Sequence, residues 1–383
     1  MQSVNYTYNR INVVLMDSLI KGKLSVYGGP IQLPHLDAWA SQNTIYTHAL
    51  TACTSTYPSI TSIITGRYVF NHNVKDSVRL LRADIPCIAE VAHNAGYACA
   101  LLAEREAGVR VEDINLRFDV VYVYPHGYST TSHIDAVNRM FDVYNDFVST
   151  NKRTITFWYF IFTHTPYQMK LGTHYSRDYI DSQYIDLVMW ADEYLFSKLL
   201  DDNTYTVFMS DHGDVIHYEH ITMAAHANRP IRDIVESVLV ATGSAGQVDQ
   251  LVSTVDVLPT ISEVIRSDSY TFDGISLFSP PPNRYSHCWG GSKFNVLDHN
   301  SIRLSITYSD GVIYELSDRG GDTPIESHEL IRILAWITGK MTSLMDASLW
   351  KDVYLNGTLY SLLMDEKVKS LLLNSGASLY GLK

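Results

Sequence analysis

Three apolar runs in this 383-residue chain end close to polar residues that could carry chemistry. Residues 11–16 (INVVLM) stop at Asp17, and residues 204–209 (TYTVFM) lead into Ser210-Asp211-His212-Gly213. Residues 155–162 (ITFWYFIF) are followed by Thr163 and His164. Carboxylates and imidazoles gathered in one place can hold a divalent cation or move protons. For any one of them, capping the next helix is an equal alternative. Three together favour a site. Thr56-Tyr57-Pro58 reads as a helix start with Thr56 as its cap, and a helix N-terminus also favours anions.

The runs themselves say what positions these groups. A short apolar run rich in β-branched residues is how a central parallel strand reads when both its faces are covered. Residues 97–102 (YACALL) form a fourth run. Helical patterns lie between the runs, at 33–42, 57–64, 85–95, 134–150 and 177–200. The alternation predicts an α/β fold, a mostly parallel central sheet with helices on both faces. Ligands bind beyond the carboxyl ends of such strands, so Asp17, His164 and Asp211 are expected at one edge.

The prolines of 278–283 (FSPPPN) stop regular structure. Beyond them, residues 301–308 (SIRLSITY) and 312–316 (VIYEL) flank Ser309-Asp310-Gly311, a hairpin signal. Helical patterns follow near 325–345 and 359–373. The expected organisation is a catalytic α/β domain over 1–280 and a C-terminal subdomain over 281–383, built of an antiparallel sheet and helices.

Composition narrows the classes. With 46% hydrophobic and 18% charged residues the chain reads as globular. A formal charge of -12 gives a nucleic-acid partner no general support. The opening residues lack a basic start followed by an apolar run, and no stretch is long enough to span a bilayer. Cys53, Cys87, Cys99 and Cys288 form no CxxC pair and read as buried thiols in a reducing compartment. The cytoplasm is the expected location. Oligomeric state is open, a homo-oligomer included.

Asp17-Ser18-Leu19, then Leu24-Ser25-Val26-Tyr27-Gly28, resembles the sulfatase opening D-D-L-x-x-D-x-L-G-x-Y-G. Leu33-Pro34-His35-Leu36-Asp37 is similar to that family's T-P-N-L-D. The stretch from Thr56 to Arg67 (TYPSITSIITGR) resembles the signature C-x-P-S-R-x-S-x-L-T-G-R, with Thr56 at the Cys position. His72 follows where the family has a His. Thr163 to Tyr167 resembles P-H-x-P-Y, Ser210 to Asp214 resembles S-D-H-G-E, and Glu219-His220 resembles the E-H that follows. Glu236 to Val240 stands at V-P-L-I-V, which sets His226 at a catalytic Lys. Val255 to Thr260 and Asp273 to Leu277 resemble V-D-L-A-P-T and D-G-x-S-L. These blocks run in family order from Ile11 to Leu277.

The resemblance implies the alkaline phosphatase superfamily fold and an ester hydrolase or transferase acting on a small anionic ester, a sugar being one candidate leaving group. It implies one divalent ion held by Asp17, Asp211 and His212, with Thr56 Oγ1 completing the site as the activated nucleophile. Arg67 and His72 would then steady the nucleophile and the developing charge. His164 and His226 would contact the transferred group and protonate the leaving oxygen.

The departures from the family redirect the chemistry. Sulfatases convert the nucleophile-position Cys to formylglycine, within a recognition context that includes the Arg replaced here by Ile60. Oxidising threonine, a secondary alcohol, would give a ketone instead. Within the superfamily, unmodified Thr or Ser goes with phosphoryl chemistry, so phosphate or phosphonate esters are the expected substrates. Sulfate-ester hydrolysis by an unmodified site is one alternative, and a catalytically silent anion- or glycan-binding relative is another. Ser18 in place of the second Asp, with His212 nitrogen, moves the ion toward manganese, zinc or iron, while calcium stays open.

Overall fold

The computed structural model of the chain describes residues 8–74, 80–105, 117–125, 130–164, 177–200, 203–216, 232–267, 269–282, 285–290, 303–308 and 313–316. Its centre is β1 (Arg10–Met16), whose side chains alternate between two buried faces. Ile11, Val13 and Leu15 enter one apolar cluster, and Val14 and Met16 enter another. No strand register with one wet face could accommodate this sequence, so β1 becomes a strand with neighbours on both sides.

Those neighbours are β6 (Thr154–Phe160) and β7 (Tyr205–Ser210), both parallel to β1. Outward from β6 come β4 (Ala98–Arg105) and β5 (Val120–Pro125), again parallel. On the other side lie β8 (Leu239–Ala241), β2 (Thr44–Tyr46) and β9 (Gly246–Val248). The order of the eight strands is β5-β4-β6-β1-β7-β8-β2-β9, with β8 antiparallel to both of its neighbours. Two short strands, β3 (Ala49–Leu50) and β10 (Val252–Ser253), pair separately.

Helices cover both faces, as the alternation predicts. On the face of Val13 and Leu15 pack α2 (Thr56–Thr65), α4 (Ile88–Asn94) and α9 (Val257–Val264); α3 (Val69–His72) follows α2 in the chain. On the face of Val14 and Met16 pack α1 (Pro34–Ser41), α5 (Thr130–Thr150) and α6 (Arg177–Ala191). The pattern over 177–200 continues beyond α6 as a π-helical turn, Asp192–Phe196, and the short α7 (Ser197–Leu199). Asp192 explains the early break in regularity. Its carboxylate accepts the Leu36 and His35 N–H groups at the start of α1 at 2.8 and 3.0 Å. One further turn, α8 (Arg232–Val235), precedes β8.

The apolar run over 155–162 ends as a strand at Phe160, two residues before its apolar character stops. Ile161 turns away because Glu104 Oε2 accepts its N–H at 3.1 Å, and His164 N–H then closes back on Ile161 O at 3.0 Å. Strands β2, β3 and β8 to β10 span two or three residues each, too few for a periodicity to be read.

The C-terminal strands are β11 (Tyr285–Gly290), β12 (Arg303–Tyr308) and β13 (Ile313–Leu316), in one antiparallel sheet. β12 and β13 pair as the hairpin signal requires; the D-G turn itself and the helical patterns at 325–345 and 359–373 lie outside the described residues. Trp289 of β11 bonds to the main chain just upstream of Thr56. Its N–H donates to Ala52 O at 2.9 Å and its carbonyl accepts Thr54 N–H at 3.0 Å. All four cysteines are buried and free. Among the described residues no helix is long and apolar enough to cross a membrane.

Phe157, 1% exposed, sits mid-strand in the first cluster. Phe157→Ala is expected to cost roughly 3–5 kcal/mol through the cavity it leaves. Leu80→Ala, at a position 62% exposed, is expected to stay within about 0.5 kcal/mol. Urea midpoints of the two variants against the parent protein check both values.

Candidate active site

β6, β1 and β7 lie side by side and point the same way, so their carboxyl ends deliver His164, Asp17 and Asp211-His212 to one edge. Asp17, Asp211 and His212 are each 0% exposed. Each offers a ligand atom, and these atoms lie within 4.8 Å of one another. Burying two carboxylates is costly unless hydrogen bonds and opposite charge compensate. Asp211 Oδ1 accepts the N–H groups of Ser18 at 3.0 Å and of His212 at 2.8 Å. Asp17 Oδ1 accepts Ser18 Oγ–H at 2.7 Å. Ser18 reaches both carboxylates because its backbone is left-handed, with φ at 59°, a conformation few non-glycine residues adopt.

Thr56 comes from the opposite direction. It is the first residue of α2, a helix buried along its whole length. Ser55 occupies the cap position, and no side-chain cap bond forms there. Thr56 therefore does not act as the cap its sequence context suggests. Its hydroxyl lies 3.3 Å from Asp17 Oδ2 and 3.2 Å from His212 Nε2. The same helix is bound to the sheet edge by Ser59, whose hydroxyl donates to Asp211 O at 2.8 Å.

The protonation pattern here is readable from partners. His212 Nδ1–H donates to Gly213 O at 2.8 Å, which leaves Nε2 as the lone-pair nitrogen. Burial, the largest influence, lowers the His212 pKa despite the opposing charge of Asp17, and keeps the ring neutral. Thr56 thus has one proton and two acceptors. His212 Nε2 also lies 3.3 Å from Asp211 Oδ2, so two lone-pair atoms face each other in a dry site. Asp214, 1% exposed, adds a further carboxylate nearby. A divalent cation is what such a donor set fits: hard oxygens, one imidazole nitrogen held in the metal-binding tautomer, and negative charge needing neutralisation.

Gly213 shows why the loop after β7 has no side chain at that point. A Cβ there would stand 1.8 Å from Asp233 O. Gly213 N–H instead donates to Ile234 O at 2.8 Å, which fixes the loop against α8.

Other residues singled out in the sequence brace the site from further away. Arg67 lies past the C-terminus of α2, about 15 Å along the helix from Thr56 at 1.5 Å per residue, and donates to Thr271 O at 3.0 Å. His72 is buried, accepts Val74 N–H on Nδ1 at 3.0 Å, and so donates from Nε2 to Ser62 Oγ at 2.9 Å. Among the described residues, neither Arg67 nor His72 bonds to Thr56; His72 bonds to α2 at Ser62, and Arg67 ties the chain just past α2 to Thr271. Asp273 accepts Tyr68 N–H at 2.9 Å and Asn71 Nδ2–H at 2.7 Å. Asp256 accepts Ser253 N–H at 2.7 Å and Ile275 N–H at 2.8 Å. His164 is half-buried and close enough to His212 for its charge to bear on that ring. His226, with Glu219 and His220, lies outside the described residues.

Two contributors were missed by sequence reasoning. Tyr159, inside the apolar run of β6, donates its hydroxyl to Asp17 Oδ2, the oxygen that also faces Thr56. Thr163 donates to Asp17 O and ties the turn after β6 to the end of β1. Tyrosine is common in buried strands, so nothing in its spacing sets Tyr159 apart.

Comparison with known proteins bears on the family and the fold. The profile of the family described as Sulfatase matches residues 11–267. An endo-4-O-sulfatase of Bacteroides thetaiotaomicron is 29% identical over 93 residues, which is 23% of this chain and 18% of that protein. The phosphonate monoester hydrolase of Silicibacter pomeroyi superposes with a TM-score of 0.65 at 14% identity, covering 86% of this chain and 94% of its own. A 2-O GAG sulfatase superposes with a TM-score of 0.65 at 14% identity, covering 92% and 93%.

Two outcomes are expected. Tyr159→Phe, which removes the donor to Asp17, is expected to weaken Mn²⁺ binding about 10-fold or more, as loss of a ligand's supporting hydrogen bond commonly does; calorimetric titration of the two proteins checks this. His72 has its pKa lowered to about 3 by burial, with the Arg67 charge adding to the effect. The unfolded chain binds this proton below about 6.5, the ordinary value, while the folded chain resists it until about 3. The stability it contributes is therefore full above pH 6.5 and is lost as pH falls toward 3. His72→Asn is expected to flatten the stability-versus-pH slope in that window, as read from urea midpoints.

Proposed function

Since the chain belongs to the sulfatase family, we propose that it is a metal-dependent hydrolase or transferase of phosphate or phosphonate esters with Thr56 as its nucleophile. One observation carries this reading: the Thr56 hydroxyl, at the first turn of a fully buried helix, lies within hydrogen-bonding distance of Asp17 Oδ2 and His212 Nε2. A threonine hydroxyl attacks an ester only when its proton is drawn off, and both neighbours can accept it. The N-terminus of α2 favours the anionic oxygens of the substrate.

In this reading Asp17, Asp211 and His212 hold one divalent ion, manganese, zinc or calcium. That ion supplies Lewis-acid polarisation of the ester and a lowered pKa for the nucleophile. Ser18 and Tyr159 keep Asp17 oriented, and Ser18 with the His212 N–H does the same for Asp211. Gly213 O holds the His212 tautomer so that Nε2 faces Thr56. His164 would contact the transferred group from the turn after β6, and His226 would protonate the leaving oxygen. Arg67 and His72 act on Thr56 through α2, which they fix from its far end. Thr56 itself argues for phosphoryl rather than sulfuryl transfer, because it cannot become formylglycine. The substrate would be a small anionic ester, with a sugar among its candidate leaving groups.

Sulfate-ester hydrolysis is the second reading, favoured by the stretch of identity with an endo-4-O-sulfatase. A chromogenic panel of phosphate monoester, phosphate diester, phosphonate and sulfate, with and without chelator, separates the two. Phosphorus esters are expected to be turned over in a chelator-sensitive way, and preference for the sulfate ester would establish the second reading. Thr56→Ala is expected to lower kcat at least about 10³-fold and Thr56→Ser to retain activity. Unchanged turnover in Thr56→Ala would remove Thr56 from its role.

A further inference from the structure

On β4, two strands from β1 and Asp17, a buried carboxylate meets an imidazole without a part in the chemistry described above. Glu104, near the end of β4, is 0% exposed, and His133, near the start of α5, is 4% exposed. Glu104 Oε1 lies 3.3 Å from His133 Nδ1, and Glu104 Oε2 accepts Ile161 N–H at 3.1 Å. The pair sits in an aromatic setting. The His133 ring is edge-on to Phe162 at 4.8 Å, Trp190 is 6.0 Å from His133, and Trp190 is edge-on to Phe162 at 5.0 Å. Burial raises the Glu104 pKa, against the opposing influence of His133 and of the Ile161 N–H. A carboxyl group in such a place costs stability that leucine would not. A purely structural core has no use for it.

Its second oxygen shows the use. Ile161 is the first residue after β6, and its N–H would continue a strand if no other acceptor were offered. Glu104 takes that N–H. The chain then turns, with His164 N–H returning to Ile161 O at 3.0 Å and Thr163 donating to Asp17 O. The turn is thus fixed at its entry by Glu104 and at its exit by Asp17, and it ends on His164. His133 fixes the fixer, since its ring accounts for the other carboxyl oxygen.

We propose that the buried Glu104–His133 pair is a positioning element that holds the turn 161–164 and so sets where His164 stands beside the metal centre. It acts through the main chain and touches no substrate. The consequence for turnover rests on the proposed role of His164; the consequence for the turn does not.

Two variants test it. In Glu104→Gln the side-chain carbonyl still accepts Ile161 N–H and the amide N–H donates to His133 Nδ1 once the ring proton moves to Nε2, whereas Glu104→Leu keeps the volume and removes the acceptor. Hydrogen exchange of the peptide containing 161–164 is read by mass spectrometry in both. Exchange is expected to be at least 10-fold faster in Glu104→Leu and within about 2-fold of the parent in Glu104→Gln. With the best substrate of the panel at saturating Mn²⁺, Glu104→Leu is expected to raise KM about 10-fold, with Mn²⁺ affinity within about 2-fold of the parent. Glu104→Gln should restore KM.

Unchanged exchange in Glu104→Leu overturns the proposal. So does faster exchange with an unaltered KM, because the turn would then be held without consequence for the site. A fall in Mn²⁺ affinity matching the loss of activity would overturn it too, by assigning Glu104 to the metal centre. If the parent protein turns over no member of the panel, the functional reading fails, and the exchange experiment still decides whether Glu104 holds the turn.

Discussion

Two carboxylates buried side by side are the constraint around which the rest of this molecule is arranged. Asp17 and Asp211 are both fully inaccessible, and a pair of like charges in a dry interior is tolerated only when each oxygen is met by donors. The answer is distributed over the sheet edge: two main-chain N–H groups on Asp211 Oδ1 and the hydroxyls of Ser18, Tyr159 and Thr56 on Asp17, while Asp211 Oδ2 faces the lone-pair nitrogen of His212. What remains of the negative charge is the attraction offered to a cation. Thr56 is part of the same balance, because its hydroxyl is one of the donors.

Geometry follows from this demand. The carboxylates sit at the ends of adjacent parallel strands, whose register is held by alternation of apolar side chains on two covered faces. A slip of one residue would turn every side chain of β1 to the other face and misplace the approach to Asp17. Thr56 sits on a helix that is buried from end to end, so it is held by α2 as a rigid unit. Arg67, His72, Asp256 and Asp273 all act on that unit or on the segments against it, at distances where no direct contact with Thr56 occurs.

How much of this could be read beforehand depended on the kind of signal. The runs at 11–16 and 204–209 announced β1 and β7 to within a residue, because strands covered on both faces are continuous in their apolar character. Asp17, Asp211 and His212 were legible as a group for the same reason: a strand end fixes its next residues in space. The end of β6 was not legible, since Ile161 and Phe162 are as apolar as the residues before them and the turn is imposed from outside by Glu104. Tyr159 was hidden for the opposite reason. Its ring belongs to the apolar run, and only its terminal oxygen, aimed at Asp17, belongs to the site. For Arg67 and His72 a motif position does not say whether a side chain reaches Thr56 or the segments behind it, and the bonds they make run to Thr271 and Ser62.

The main chain leading to Thr56 is held by residues that the ribosome supplies much later. Ala52 N–H donates to Thr254 Oγ1, 202 residues on, and Ala52 and Thr54 bond on either side of Trp289. Contacts of such long sequence separation form late, after the loop they close has lost its freedom. A nascent chain long enough to expose Thr56, Asp17 and even Asp211 would therefore lack the strand that fixes the approach to Thr56. The support of Thr56 thus waits on synthesis through Trp289, so a product that stalls before it carries Asp17, Asp211 and His212 but not the strand that aligns Thr56.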